Sequence, residues 1–569
     1  SLCSGISSFI HLETLYMKKV NLHDAVLELR SLTNLIHLIL GEITMSMECS
    51  RSLCSGISSF IHLETLYMKK VNLHDGVFDL RYLTNLTELS MNAVTMSKKC
   101  SRSLCRSISS CTHLDMLYLE NMMLYDGVLD LSTQTNLTSI SLKSVAMSEE
   151  CSRSLCSSIS GCNHVRRLRL VCIKLYDAIL ELKPLTNMIV LLLSEVNMSE
   201  ECSRSLFSSI SGCTDLEALS LSNIKLPDCL LDLRSHTKLI NLDLVNVTMS
   251  EDYGGSLCRT ISDFIHLEDL CLDDIRLHDG VLDLSSLTSL TELKLLDVTM
   301  SEECSSTLCG SIGRCTLLTQ MKLENISLHD GVLDLSSLTN LTELELLHIT
   351  MSEECSSTLC GSIGRCTLMT QMKLKNITLH DGVLDLSSMT SLIKLKLDNV
   401  TMSEECSKSL CKSISCCTDL ENLSLSNMKL TNDLLDMRSL TKLIDLRLDK
   451  VSMSEDYSKS LCHMISDFIQ LEDLHLVDIR LHDGVLDLKS LSNMDSLKLV
   501  DVAMSEECRR SLCSSISRCT HLDKLYLKRI KLHDGVLDLS SLTNLLNLRL
   551  DTVTMSKECS RSLCSSISC

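Results

Sequence analysis

Leu522-Asp523-Lys524-Leu525-Tyr526-Leu527-Lys528-Arg529-Ile530-Lys531-Leu532 carries its apolar residues at the spacing L-x-x-L-x-L-x-x-I-x-L. Alternation across Leu525 and Leu527 is what a short strand with one buried face requires. The same spacing returns 23 residues later at Leu545, Leu548, Leu550, Val553 and Met555. The next copy would begin 28 residues on, so the unit is a pair 51 residues long. Met45, Met96 and Met147 open a series that continues at this interval to Met504 and Met555 without a break. A period this strict marks one small unit copied in tandem.

A strand followed by a helix or tight turn, repeated with this spacing, is the leucine-rich repeat pattern. The expected fold is therefore α/β: a solenoid curved as a horseshoe, with a parallel sheet on its concave side. Helices and short turns cover the convex side, over about 22 repeats from Leu12 through Leu550. Residues 1–569 are expected to form a single array of eleven 51-residue double repeats, truncated at both ends. Ser1 to Asp24 recurs unchanged as Ser52 to Asp75, so the chain opens within a repeat, with neither an initiator Met nor a signal peptide. It reads as a fragment of something longer.

Composition narrows the possibilities. Hydrophobic residues make up 44% but aromatics only 3%, with no Trp, so the core must be aliphatic. A net charge of −20 argues against a nucleic-acid partner, which needs a basic stripe against its phosphates. No apolar run approaches the roughly 20 residues of a membrane span.

Ser505 stands where a helix N-cap belongs, with Glu506 and Glu507 in the first turn, where acids suit the helix dipole. Cys508, Leu512, Ile516 and Cys519 then fall at i, i+4, i+8 and i+11, one apolar stripe. The shorter half of the unit has only His533 to Leu539 before the next strand, room for a capped turn or a brief helix.

Thirty-two cysteines raise the question of metal or disulfides. Twenty-seven fall in three columns, containing Cys49, Cys54 and Cys111. Tyr253, Tyr457, Phe207 and Phe264 stand in some of those places, so packing volume is what they share. Copies of one column lie two strands apart, roughly 10 Å, too far for a disulfide. No tight Cys pair has a second pair nearby, as zinc would need. The thiols are expected as buried small hydrophobes, and their number points to a cytoplasmic location. Nine N-x-[ST] sequons, Asn85, Asn136, Asn246 and Asn399 among them, point the other way.

His-Asp-Gly recurs at His74, His278, His329, His380, His482 and His533, but Tyr125, Tyr176, Pro227 and Thr431 occupy the same column. That tolerance argues against general-base chemistry. The Asp is expected to cap a turn and the Gly to supply a positive φ. No phosphate-binding loop or nucleophile elbow occurs, so neither an enzyme nor a cofactor is expected.

The copies disagree mainly at solvent-facing strand positions. Tyr16, Tyr67 and Tyr118 recur between the leucines of the shorter half, with Tyr526 in its last copy. Arg166, Arg167 and Arg169 form a basic cluster beside Ile189, Val190 and Leu192. Asp243 and Lys294 occupy the equivalent place in the longer half. These positions are the expected binding surface for a protein or peptide ligand, since Arg and Tyr beside exposed aliphatics suit an interface.

Asn340-Leu341-Thr342-Glu343-Leu344 with His348-Ile349-Thr350-Met351-Ser352-Glu353-Glu354, followed by a Ser-Leu-Cys helix, resembles the ribonuclease-inhibitor class of leucine-rich repeat. More narrowly, it resembles the C-terminal repeats of the NACHT–leucine-rich-repeat cytosolic immune receptors, those with an N-terminal CARD above all. That resemblance implies a sensing and autoinhibitory role within a larger multidomain chain. Ile530 and Val553 replace the usual Asn of the repeat, so its asparagine ladder is missing there. Two alternatives remain: the substrate-recruiting region of an F-box-type ubiquitin ligase adaptor, and an extracellular recognition protein.

Overall fold

A computed structural model of the chain describes every residue except 1–8, 23–28, 75, 126, 227–230, 278–279, 330, 381, 431–434, 483, 533–535 and 569. It comprises two compact units, Ser1–Arg276 and Leu277–Cys569. In the first unit eleven strands of one sheet run from Thr14–Lys18 to Asp269–Asp273. Each lies parallel to the next in sequence. The second unit repeats the arrangement with eleven strands, from Glu292–Leu296 to Asn547–Asp551. The leucine-rich repeat solenoid read from the spacing is thus the fold observed.

Register stacks like on like. Leu15 faces Leu38 and Leu38 faces Leu66, so each buried side chain is covered by its own copy in the next strand. Leu38, Leu66, Leu323 and Leu346 are fully buried, each burial contributing roughly 1.5–3 kcal/mol.

The longer half of each unit carries a helix, such as Met47–Ile57, Glu302–Ile312 and Glu506–Ile516. The serine hydroxyl at the cap accepts a hydrogen bond from the third helical residue, as Ser301 does from Cys304 N at 3.2 Å. Ser250 departs from this: its hydroxyl makes no cap bond and is buried without a partner. Cys508, Leu512 and Ile516 face the strands as expected, but Cys519 lies beyond the helix end at Ile516. Its thiol is instead buried by donating to Leu488 O at 3.7 Å.

The shorter half crosses the outside without a helix among its described residues. Its turn is held by the Asp of Leu-Asp-Leu, as when the Asp334 carboxylate accepts the Ser336 backbone N–H at 2.8 Å. The Asp of His-Asp-Gly, expected to cap, falls outside the described residues wherever His precedes it. The histidines are used through their backbone: His380 N donates to Ser356 Oγ at 2.8 Å, and Tyr125 N does the same to Ser101 Oγ at 2.9 Å. That bond ignores the ring, so the column tolerates Tyr.

The glycine of this motif does not supply a positive φ, since no described glycine has one. Close approach explains it better. A methyl group at Gly331 would sit 2.6 Å from Cys309 Cβ, and at Gly382 2.7 Å from Cys360 Cβ. Positive φ belongs elsewhere: the residue just before the motif's Ile, Val or Met is left-handed in every repeat, from Lys19 to Thr552. Asn and Asp, whose side chains tolerate that region, recur there. They also carry a ladder shifted by one residue from the expected place, as Asn399 Nδ2 donates to Asn376 Oδ1 at 2.7 Å.

Gly331→Ala should therefore lower the thermal midpoint, because the turn and the Cys309 helix must part. Gly310→Ala, where nothing lies within 4 Å of the new methyl, should raise stability by about 1 kcal/mol through helix propensity alone. Differential scanning calorimetry of the two variants checks the pair; equal shifts would remove close approach as the reason for the turn glycine.

Candidate ligand-binding face

Each sheet buries one face against the outer layer and leaves the other open, as the alternating burial of Asp269–Asp273 and Glu292–Leu296 shows. In the first unit the middle row of that open face follows from the strand register. Tyr16 is beside Ile39, Ile39 beside Tyr67, then Ser90 and Tyr118. The tyrosines therefore alternate with other residues and do not stack on one another. Tyr16 is exposed, while Tyr67 and Tyr118 are half-buried.

Farther along, Arg167 pairs in register with Val190 and Arg169 with Leu192. Both arginines are exposed and both aliphatics half-buried. The structure thus brings these four together. Arg166 lies outside the group, at the strand entrance, in a separate depression of about 400 Å³ with His164, Ile189, Asp215 and Glu217. Asp243 accepts a bond from Ser220 Oγ at 3.0 Å, but its other carboxylate oxygen is buried and unpartnered.

The second unit holds a feature that the sequence columns hide. Its middle row reads Lys294, Lys322, Glu345, Lys373, Lys396, then Ser424. It continues through Arg447, His475, Lys498, Tyr526 and Arg549. Seven cations and one acid share this line, in a chain of net charge −20. The two halves of the repeat contribute alternate members, so neither column read by itself shows the run.

Carboxylates on the flanking rows answer some of these charges. Lys294 pairs with Glu292, Lys322 with Glu324 at 2.9 Å, and Arg447 with Asp445 at 2.9 Å. Lys396 has no ion pair among the described residues. Burial first, and then Lys394, Arg447 and Lys373, hold its ammonium below the ordinary lysine range. Burial and the nearby Arg447 likewise lower His475. The short Ser424 between Lys396 and Arg447 leaves a depression of about 340 Å³. A second, of about 500 Å³, includes Tyr526 and Arg549, where the guanidinium lies 4.8 Å over the ring. Tyr526, Lys294, Lys396, Arg447, His475 and Lys498 all fall at the variable solvent-facing positions read from the sequence, but their adjacency in one row appears only in the register.

No helix among the described residues is long and apolar enough to cross a membrane. No group of metal-binding side chains is found among them either.

No protein-family profile matches the chain, and no curated protein matches it in sequence. Solved structures match in fold. The plant peptide hormone receptor RGFR1 in complex with RGF2 is 15% identical, covering 97% of this chain and 84% of that one, at a TM-score of 0.52. PEPR1 with AtPEP1 is 14% identical over 95% and 76%, at 0.52. The Arabidopsis receptor kinase HAESA, with the peptide hormone IDA and the co-receptor SERK1, is 15% identical over 95% and 87%, at 0.50. The chain shares the leucine-rich repeat fold of these structures. The same comparison speaks against the cytoplasmic location expected from the sequence, because neighbours matched in fold include peptide-hormone receptors. Burial raises the thiols of Cys315 and Cys213 to about 12.

Lys394→Gln should raise the pKa of the Lys396 ammonium, since a like charge beside it is removed. Amine labelling of Lys396 as a function of pH, read by mass spectrometry, measures it. An unchanged profile would mean that Lys394 does not contribute to the depression of this lysine.

Proposed function

We propose that the chain is an extracellular recognition array that takes a protein or peptide ligand on the concave, open face of its strands. The observation that carries this reading is the contrast between the two faces. Buried strand positions repeat Leu from copy to copy, whereas the open middle row runs through Tyr, Ile, Ser, Arg, Leu, Asp, Lys and His. Similarity of fold to peptide-hormone receptors supports it, as do exposed sequons at Asn85, Asn136 and Asn399. Nothing in these neighbours favours the immune-receptor sensor or the ubiquitin-ligase adaptor.

Arg167 and Arg169 with Val190 and Leu192 in the first unit, and Tyr526 with its basic neighbours in the second, are the residues assigned to ligand contact. Tyr16, Tyr67, Tyr118, Arg166, Asp243 and Lys294 extend that surface. Peptides selected from a displayed random library on the full chain should lose binding to Arg169→Glu or to Lys396→Glu. The thermal midpoint of Arg169→Glu should not move, since exposed charge changes are usually within about 0.5 kcal/mol. Binding lost instead on Arg153→Glu, on an outer helix, would place recognition on the opposite face.

A further inference from the structure

The longer halves of the second unit place a cation on the open middle row four times in succession, at Lys396, Arg447, Lys498 and Arg549. The register sets one strand between each and the next, carrying Ser424, His475 and Tyr526 in that order. Neighbouring strands lie about 4.8 Å apart, so the four charges recur at about 9.6 Å along a line that crosses the strands. Copying does not account for them. The same column of the first unit reads Ile39, Ser90, Ser141, Leu192 and Asp243, without a cation.

Little in the chain answers these charges. Arg447 is held by Asp445 at 2.9 Å, but Lys396, Lys498 and Arg549 make no ion pair among the described residues. The acids two residues beyond Lys396 and Arg549 are turned to other partners, Asp398 to Lys375 at 4.0 Å and Asp551 to Lys528 at 3.4 Å. Between the cations, burial and then Arg447 keep His475 below its ordinary range, so at neutral pH it adds little charge. The depression of about 340 Å³ over Lys396, Ser424 and Arg447 shares His475 and Lys498 with the one of about 500 Å³ that reaches Tyr526 and Arg549. Together they form a groove along the row.

A ligand that meets all four cations must repeat an anionic group at their interval. A polyproline II segment has three residues per turn and rises about 3.1 Å per residue, so every third side chain returns to one side at about 9.3 Å. Over three intervals it drifts from the cations by only about 1 Å. A β-strand returns to one face every second residue, at about 6.7 Å, and falls out of step at once. An α-helix returns after two turns, at about 10.8 Å, and is about 3.6 Å out by the fourth cation.

We infer that the groove from Lys396 to Arg549 takes an acidic peptide segment in the polyproline II conformation, lying across the strands with a carboxylate at every third residue against Lys396, Arg447, Lys498 and Arg549. This rests on the open face being the ligand surface, and adds the chemistry and spacing of the ligand.

The test uses the full chain and a fluorescent peptide of four Glu-Pro-Pro triplets, beside an isomer of the same composition whose glutamates are contiguous. Anisotropy titrations should show the triplet peptide binding about tenfold tighter, because contiguous acids cannot reach all four cations and each exposed pair is worth a few-fold. Lys396→Gln and Lys498→Gln should each weaken it about threefold. Lys396→Arg and Lys498→Arg, which keep the charge, should leave it unchanged. Equal binding of the two peptides would overturn the inference, since the cations would then act as a diffuse field, and so would no binding of either. Library-selected peptides decide the underlying reading separately. If they still lose binding to Arg169→Glu while the triplet peptide fails, only the polyproline II ligand falls; if they lose it to Arg153→Glu instead, the open face itself is the wrong one.

Discussion

No single repeat of this chain can cover its own apolar face, and everything else follows from that. A strand of five to ten residues with a short outer segment exposes leucines on both of its open sides until a copy stacks on each. The parallel register supplies the cover, placing Leu38 between Leu15 and Leu66 and Met321 between Leu293 and Leu344. A buried position must therefore fit its own copy twice over, before and behind. This double constraint keeps the buried rows uniform and leaves the open row, which packs under no outer layer, free to vary.

Stacking at strand spacing sets a second demand on the backbone. Each strand must leave the sheet sharply toward the outer layer, and the left-handed residue before the Ile, Val or Met makes that bend in every repeat. For an L-residue this conformation costs roughly 1–2 kcal/mol, less for Asn and Asp. Asn325 recovers part of that by donating to Asp297 Oδ1 at 2.7 Å, and Asn246 by donating to Asn223 Oδ1 at 2.7 Å. Such bonds serve as the asparagine ladder of this repeat, on exposed side chains at the strand exit. The residue that looks missing from the usual motif has moved one place, to the position where the turn needs it.

How much of this was legible depended on whether a feature lies within one repeat or between two. Strand spacing, the Ser caps and the outer helix are local, and Leu525, Leu527 and Ser505 announce them directly. Cys519 was misplaced because helical periodicity continues on paper after the helix has ended at Ile516. The turn glycine was misread for the opposite reason: Gly331 is dictated by Cys309 of a preceding helix, a contact that no dihedral preference reveals. The basic row needs residues from both halves of the unit, Lys373 and His475 from one and Lys396, Arg447 and Lys498 from the other. Columns of equivalent positions separate what the sheet interleaves.

The same lesson separates the two sides of the molecule in chemical terms. On the outside, neighbouring repeats meet through identical small groups, a glycine against a cysteine, so copying preserves the contact. On the open face, neighbours meet as charges, and copying alone would place like against like, which is unfavourable. Lys396, held below the ordinary lysine range by Lys394 and Lys373 as well as by burial, shows that this cost has been retained in the second unit. Asp445 offsets that cost for Lys396 only in part, and Glu324 pairs with Lys322. A surface that keeps such positive charge, in a chain otherwise acidic, is complementary to an anionic group.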